Sequence, residues 1–185
     1  MIMKHIVKQL KIILNENIRP RILLGLVSNE RQLQADLYYC LTRHLSKNYV
    51  IWVEQVVNLP KYDLVIVKPD LIITRDSSVV AIIELKFLLY GQPDYWDDVT
   101  KLLKFENTVQ DNIELFMSSM VLMKETPDVI EFNKYFLNSK SLYIFIVFGD
   151  KNCNAFKLNG IKKPKNFFHV CGYYSRNHDI TYEFK

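Results

Sequence analysis

The chain has 185 residues, of which 49% are hydrophobic and 24% charged, and it carries a formal net charge of +4. This length suits one compact globular domain and excludes a second core of similar size. The longest apolar run, Leu142 to Phe148, is too short to cross a bilayer, and lysines interrupt the apolar N-terminal stretch, so we expect neither a membrane span nor an export signal. The three cysteines lack CxxC spacing, which argues against a zinc knuckle and favours an intracellular, cytoplasmic setting.

Residues 1–45 predict two helices. Apolar residues at helical spacing indicate a first helix, which Pro20 is expected to interrupt; they are Ile6, Leu10, Ile13 and Leu14. The second helix is expected to begin at a cap on Ser28 or Asn29 and to run to about Leu45. Its apolar stripe consists of Leu33, Leu37, Leu41 and Leu45. Glu30 stands three residues before Leu33 and therefore falls on the same, packed face.

The next part of the chain predicts strands. Residues 49–57 and 62–67 are rich in β-branched and aromatic side chains, which favour extended structure. Residues 70–75 and 79–87 flank the turn-favouring sequence Asp76-Ser77-Ser78 and are expected to pair as a hairpin.

The second half of the chain predicts helices and then strands. Asp94 is expected to cap a helix with one apolar side, formed by Tyr95, Val99, Leu102 and Leu103, and a polar side that includes Lys101 and Lys104. Apolar spacing indicates further helices near residues 113–120 and 129–137, followed by a buried strand over 142–148. A long polar loop and strands near 167–174 and 180–184 follow.

One group of charged residues stands inside these apolar strands: Asp70, Glu84 and Lys86. In a hairpin centred on Ser77, Asp70 and Glu84 lie equally far from the turn and therefore face each other. Like charges in directly opposed positions repel unless a positive charge lies between them. Because side chains alternate along a strand, Lys86 shares the face of Glu84. We therefore predict that the three side chains converge.

This trio suits the hydrolysis of a phosphodiester bond. The reaction requires neutralisation of developing negative charge, a positioned water and a stabilised leaving group. Hard carboxylate oxygens suit Mg²⁺ or Mn²⁺. Lys86 could polarise the attacking water or hold a phosphate oxygen, and partial burial could lower its pKa. The sequence does not decide between these two roles.

These residues resemble the signature of the PD-(D/E)xK nuclease superfamily, which includes restriction endonucleases, Holliday-junction resolvases and repair nucleases. The motif stands here as Pro69-Asp70 and Glu84-Leu85-Lys86. The resemblance implies an α/β fold with a restriction-endonuclease-like core (αβββαβ), in which helices flank a central mixed sheet. That core would occupy residues 28–148, between an N-terminal helical extension over 1–27 and a C-terminal loop and strands over 149–185, all in one domain.

The resemblance also implies roles for further residues. Glu30 stands where this family often places a glutamate on its first core helix, as an additional metal ligand, and Gln34 follows one turn later. The backbone carbonyl of Leu85 would ligate the metal. Products would carry 5′-phosphates.

The expected partner is a nucleic acid, DNA before RNA by family analogy, in a restriction, mobile-element or repair context. Lys101 and Lys104 are candidates for phosphate contacts. No membrane partner is expected, and the sequence does not decide whether the chain forms a homodimer. Two competing acids are Glu54 and Asp63, of which Asp63 would lie far from Glu84 in the hairpin register.

Two alternative functions compete with a nuclease. One is a nucleic-acid-binding or scaffold subunit that keeps the fold without catalysis. The other is a hydrolase that uses two carboxylates on a different substrate, although a lysine two residues after the acid suits that chemistry less well.

Overall fold

The structure, a computed structural model, describes residues 2–59, 65–88, 95–109, 114–118, 132–149, 158, 160, 162–174 and 179–185. Its helical segments are α1 (Ile2–Ile12), a π-helical segment (Ile13–Ile18), α2 (Arg19–Leu23), α3 (Glu30–His44) and α4 (Trp96–Val109). Its strands are β1 (Tyr49–Val53), β2 (Val56–Leu59), β3 (Val65–Val67), β4 (Leu71–Arg75), β5 (Ser78–Phe87), β6 (Glu114–Ser118), β7 (Phe132–Gly149), β8 (Phe167–Tyr174) and β9 (Ile180–Phe184).

The strands form one mixed sheet. Its order is β1-β4-β5-β7-β6-β2-β3, while β8 pairs with β7 and β9 pairs with β8. The pairs β5–β7 and β7–β8 are parallel, whereas β4–β5 and β1–β4 are antiparallel. The strand β5 is therefore an interior strand, which pairs with β4 on one side and with β7 on the other.

Helices cover both faces of this sheet. One buried cluster joins the N-terminal helices and α3 to alternate residues of β4 and β5, such as Ile73 and Ile83. A second cluster lies on the opposite face, where Val99, Leu102 and Phe105 of α4 pack against residues that include Ile72 and Ile82. The predicted α/β arrangement of a central mixed sheet flanked by helices is confirmed.

The second predicted helix is confirmed as α3. The side chain of Asn29 accepts a hydrogen bond from the backbone N–H of Gln32, which caps the helix and stabilises it by about 1 kcal/mol. Leu33, Leu37 and Leu41 are fully buried, and each contributes roughly 1.5–3 kcal/mol of hydrophobic stabilisation. This packing fixes the start of α3 over the end of the sheet.

The register of the predicted hairpin is confirmed over most of its length. Leu71 pairs with Ile83, and Ile73 pairs with Ala81, which is the register of a hairpin centred on Ser77. The register shifts between Ile73 and Thr74, so the turn itself is tighter than a uniform ladder would give. Extended by one step, this ladder brings Asp70 opposite Glu84.

Pro20 does not end the first helix, contrary to the prediction. It lies in the first turn of α2, where the missing N–H of a proline costs little. The N–H of Arg19 donates to the carbonyl of Leu14, five residues earlier, so the π-helical segment continues directly into α2.

The predicted single strand over residues 49–57 is also wrong. The chain bends after Val53, and Glu54 takes a positive φ of 48°, so that β1 and β2 are separate strands. They lie far apart in the sheet order, β1 beside β4 and β2 between β6 and β3.

The helices predicted near 113–120 and 129–137 are strands where the structure describes them. Residues Glu114–Ser118 form β6, and Phe132 to Leu137 form the first part of β7, with which β6 pairs in antiparallel fashion. Short apolar runs have no periodicity that separates a helix from a buried strand, and here cross-strand pairing decides the outcome. The strands predicted at 142–148, 167–174 and 180–184 are confirmed.

In the described part of the chain, no helix combines the length and the apolar character that crossing a membrane would require.

Candidate functional site

Asp70 lies immediately before β4, at the end of the sheet where α3 begins. The backbone N–H of Leu85 donates to its Oδ2 at 2.7 Å, and Nε2 of Gln34 donates to its backbone carbonyl at 3.1 Å. Burial, together with the charge of Glu30, raises the pKa of Asp70 to about 6, although the hydrogen bond from the Leu85 N–H opposes this shift. Asp70 is thus held in place by β5 and α3 together.

Glu84 is a fully buried carboxylate near the C-terminal end of the interior strand β5. Its Oε2 accepts a hydrogen bond from Nζ of Lys101 at 3.2 Å, whereas its Oε1 is buried without a hydrogen-bond partner. Burial raises its pKa well above the usual range, and the charge of Asp70 adds to this effect. A buried oxygen without a hydrogen-bond partner is energetically costly, because it has lost its hydration without a replacement.

Lys86 points to the same end of the sheet and pairs with two carboxylates. Its Nζ lies 2.9 Å from Oδ2 of Asp98 and 3.9 Å from Oε2 of Glu30. Burial lowers the pKa of Lys86, but the hydrogen bond and charge of Asp98, together with the charge of Glu30, raise it above the usual value overall. Partial burial alone would lower the pKa of Lys86, as considered from the sequence, but here the two carboxylates outweigh burial. Lys86 therefore stays protonated at neutral pH.

Glu30 and Gln34 reach this cluster from the helix on the other face of the sheet. The first turn of α3 overhangs the sheet end, so the backbone N–H of Phe87 lies 3.4 Å from Oε2 of Glu30. Both residues therefore lie beside the predicted trio, Glu30 from the packed face on which the sequence places it and Gln34 one turn later, against Asp70.

The helix α4 supplies two charged residues to the site, of which the sequence analysis named one in another role and missed the other. Lys101, expected on a polar side of α4 as a candidate phosphate contact, lies against Glu84. Asp98 was not considered, and it is buried with its Oδ1 3.1 Å from Nζ of Lys101. The sequence signal was the spacing of Asp98 and Lys101, one helical turn apart and beside the buried Val99. Lys104, the other candidate for a phosphate contact, is half-buried on the same helix.

Glu54 lies next to the cluster but not inside it. Its backbone N–H donates to the carbonyl of Asp70 at 3.0 Å, and this hydrogen bond helps to position the start of β4. Glu54 adopts a positive φ, an uncommon conformation for a residue other than glycine. Its side chain points to solvent and forms an ion pair with Lys68 at 2.5 Å. Asp63, the other competing acid, lies outside the described residues.

The oxygen ligands of this site are of the type that Mg²⁺ prefers, but they are few. Asp70 and Glu84 offer hard oxygen atoms whose mutual repulsion a divalent cation would relieve. Within the described ranges, however, no three side chains of the histidine, cysteine, aspartate or glutamate type are grouped as ligands of one ion. A cation would therefore depend on two carboxylates, with backbone or solvent oxygen completing its coordination.

Comparisons of the chain with protein-family models, curated proteins and solved structures each gave no match. The function therefore has to be inferred from the residues of the site. Four carboxylates and two lysines, contributed by α3, β5, α4 and the segment before β4, meet at one end of the sheet. The carboxylates are Glu30, Asp70, Glu84 and Asp98, and the lysines are Lys86 and Lys101, with Asp98 between them.

Proposed function

We propose that this chain is a divalent-metal-dependent nuclease of the PD-(D/E)xK type that hydrolyses phosphodiester bonds in DNA. The observation that carries the proposal is the buried carboxylate of Glu84, which has an unpartnered Oε1 and stands next to Asp70 and two residues before Lys86. Structural charges on a strand normally face solvent or are fully paired. A half-paired carboxylate beside a second one is typical of a site that binds a cation.

The proposal assigns a role to each residue. Asp70 and Glu84 would hold Mg²⁺, which would supply positive charge to the phosphate and lower the pKa of the attacking water. Glu30 would lie outside these two ligands and tune the occupancy of the cation. The protonated Lys86 suits electrostatic stabilisation of the phosphate oxygens, rather than removal of a proton from water.

The order of elements around the site supports the family resemblance. When β2, β3 and β6 are left out, the segments α3, β1, β4, β5, α4 and β7 come in the chain order of a helix, three strands, a helix and a strand. In the sheet, β1, β4, β5 and β7 are neighbours in that order. The strands β2, β3 and β6 are additions to this scheme. DNA as the substrate rests on the family resemblance and on the net charge of +4, which favours a polyanion.

One observation favours a second candidate function, a nucleic-acid-binding subunit without catalysis. Lys101 already supplies positive charge to Glu84 and Asp98, as a cation would. If the ion pair between Lys101 and Glu84 persists when nucleic acid binds, the lysine takes the place of a metal ion in compensating the charge of Glu84. The two functions differ in whether a divalent cation is required.

A cleavage assay distinguishes them. Purified protein would be incubated with linear, circular, branched and single-stranded DNA and with RNA, each in Mg²⁺, in Mn²⁺ or in EDTA. The nuclease proposal predicts cleavage in Mg²⁺ or Mn²⁺, none in EDTA and none by Glu84→Gln purified in parallel. Binding of DNA with no cleavage under any of these conditions supports the non-catalytic subunit, and cleavage in EDTA contradicts the metal-dependent mechanism.

A further inference from the structure

Asp98 connects the two lysines of the site. Its side chain is 8% exposed, and it lies in the first turn of α4. Oδ2 is 2.9 Å from Nζ of Lys86 and Oδ1 is 3.1 Å from Nζ of Lys101. Each oxygen of the carboxylate thus serves a different lysine.

These two contacts are not equivalent. The pair with Lys101 forms within α4 itself, at the usual i,i+3 spacing of a helix. The pair with Lys86 joins α4 to β5 and therefore fixes the lysine side chain relative to the helix. Lysine has four rotatable side-chain bonds and loses up to about 2 kcal/mol of conformational entropy when it is immobilised, so its position depends on such a partner.

Asp98 is not needed to hold α4 on the sheet. Val99, Leu102 and Phe105 of the same helix are fully buried in the cluster on that face, and their apolar packing docks the helix. Burial of the Asp98 carboxylate is unfavourable by itself and is compensated by the two ammonium groups. The contacts of Asp98 therefore serve the placement of the lysines.

We propose that Asp98 is a positioning residue of the nuclease, which acts by holding the ammonium group of Lys86 at the end of β5 beside Glu84. This inference rests on the proposed function. Asp98 need not touch the nucleic acid or the metal. Loss of the Asp98 carboxylate would remove the contact between Lys86 and α4. Of the carboxylate partners that the structure records for Lys86, only Glu30, at 3.9 Å, would remain.

Asp97 offers a matched control on the same helix. It has the same side chain and lies in the same first turn, but it is exposed. Asp97→Asn removes the same charge from α4 as Asp98→Asn does, and it changes the helix dipole interaction similarly. A difference between the two variants therefore reports the buried contacts and not the loss of an acid from the helix.

The experiment measures single-turnover DNA cleavage in saturating Mg²⁺. Asp98→Asn is expected to lower the rate by on the order of 10-fold to 100-fold, since a misplacement of about 1 Å at a reacting group can cost about 100-fold. Asp97→Asn is expected to match wild type. In a Lys86→Ala background, Asp98→Asn should change the rate by no more than about twofold, which is the usual scatter of additive effects. Asp98→Glu, which keeps the charge, should recover part of the rate.

Urea unfolding in EDTA gives a second readout that needs no activity. The shift in midpoint for Asp98→Asn together with Lys86→Ala should differ from the sum of the two single shifts, whereas Asp97→Asn with Lys86→Ala should be additive. This cycle also shows whether each variant folds, and Asp98→Ser, which also removes the carboxylate, replaces Asp98→Asn in both assays if the latter does not fold.

The outcomes separate this inference from the proposed function. Absence of cleavage by the wild-type protein overturns the proposed function and this inference with it. Cleavage by wild type together with an unimpaired Asp98→Asn overturns this inference alone. The inference is also overturned if Asp98→Asn lowers the rate in the Lys86→Ala background by the same factor as in wild type, because Asp98 would then act independently of Lys86.

Discussion

The Nζ atom of Lys101 lies 3.2 Å from Oε2 of Glu84, a buried carboxylate whose other oxygen has no hydrogen-bond partner. Lys101 therefore pairs with only one of the two carboxylate oxygens, and the charge of Asp70 opposes the ionisation of Glu84. Without a divalent cation, the negative charges of Glu84 and Asp70 are only partly compensated.

Replacement of Glu84 by glutamine should separate activity from stability. We expect Glu84→Gln to abolish cleavage and to leave the free energy of unfolding in EDTA unchanged or higher by about 1 kcal/mol, because it removes a poorly compensated buried charge at nearly constant volume. Lys101 keeps Asp98 as its partner in the variant. Urea unfolding measures the stability, with Glu54→Gln as the exposed control. Unchanged turnover would exclude Glu84 from the site.

Replacement of Lys86 should affect the rate more than the binding of metal. We expect Lys86→Ala to lower the single-turnover rate by at least about 100-fold, which is the lower range for loss of a positioned electrostatic or acid-base group. Metal affinity should change much less, because the ammonium group ligates no cation. A Mg²⁺ titration of the rate measures both quantities. Loss of metal binding with a normal rate at saturation would show that Lys86 is structural.

Glu30 should tune metal occupancy from α3. We expect Glu30→Gln to weaken the apparent affinity for Mg²⁺ by about 10-fold to 100-fold, with partial rescue at high metal concentration, as for other groups that orient ligands from outside. Glu54→Gln is the comparison, since Glu54 is exposed and paired with Lys68. If Glu30→Gln matches wild type at limiting Mg²⁺ while Glu54→Gln is impaired, Glu54 takes the role that we assign to Glu30.

His169 should make the protein sensitive to acid; it lies two strands from Glu84 in the sheet, with Phe145 between them. It is buried and stacks against Phe145, with ring centroids 5.6 Å apart, and burial lowers its pKa to about 4, helped by the charges of Lys185 and Lys163. The unfolded chain binds this proton near pH 6.5, so the stability contributed by neutral His169 is complete above that pH. It is lost as the pH falls towards 4.

The magnitude follows from the same shift. The folded protein should lose up to about 3 kcal/mol from this group between pH 6.5 and pH 4. His169→Phe removes the titration, so the difference in free energy of unfolding between wild type and variant should move by that amount across the interval. The constant steric effect of the larger ring cancels in this comparison. A difference that does not depend on pH would contradict the assignment.

The part of the site carried by the hairpin could be predicted from the sequence. The turn residues and the alternation of strand side chains are local rules, and they place Asp70 opposite Glu84 and on the face of Lys86. The apolar stripe of α3 likewise predicted that Glu30 lies near the packed end of the helix.

The contribution of α4 could not be predicted in the same way. Which side of a helix faces a sheet is decided by all of its apolar residues together, and Lys101 lies near the boundary between the packed and the solvent side. The charge of Glu84, which draws Lys101 inwards, is distant in sequence. The strands β6 and the first part of β7 were missed for a related reason, because β6 also pairs with β2 and β7 with β5, which are distant in sequence.

The most direct test of the central claim is the cleavage of end-labelled DNA by wild type and by Asp70→Asn, purified in parallel, with Mg²⁺ and with excess EDTA. Asp70→Asn keeps the volume of the side chain and retains an oxygen that can accept the hydrogen bond from the N–H of Leu85. We expect wild type to cleave in Mg²⁺ and not in EDTA, and the variant to be inactive in both. Equal cleavage by the two proteins, or cleavage by wild type in EDTA, would contradict a metal-dependent nuclease built on Asp70 and Glu84.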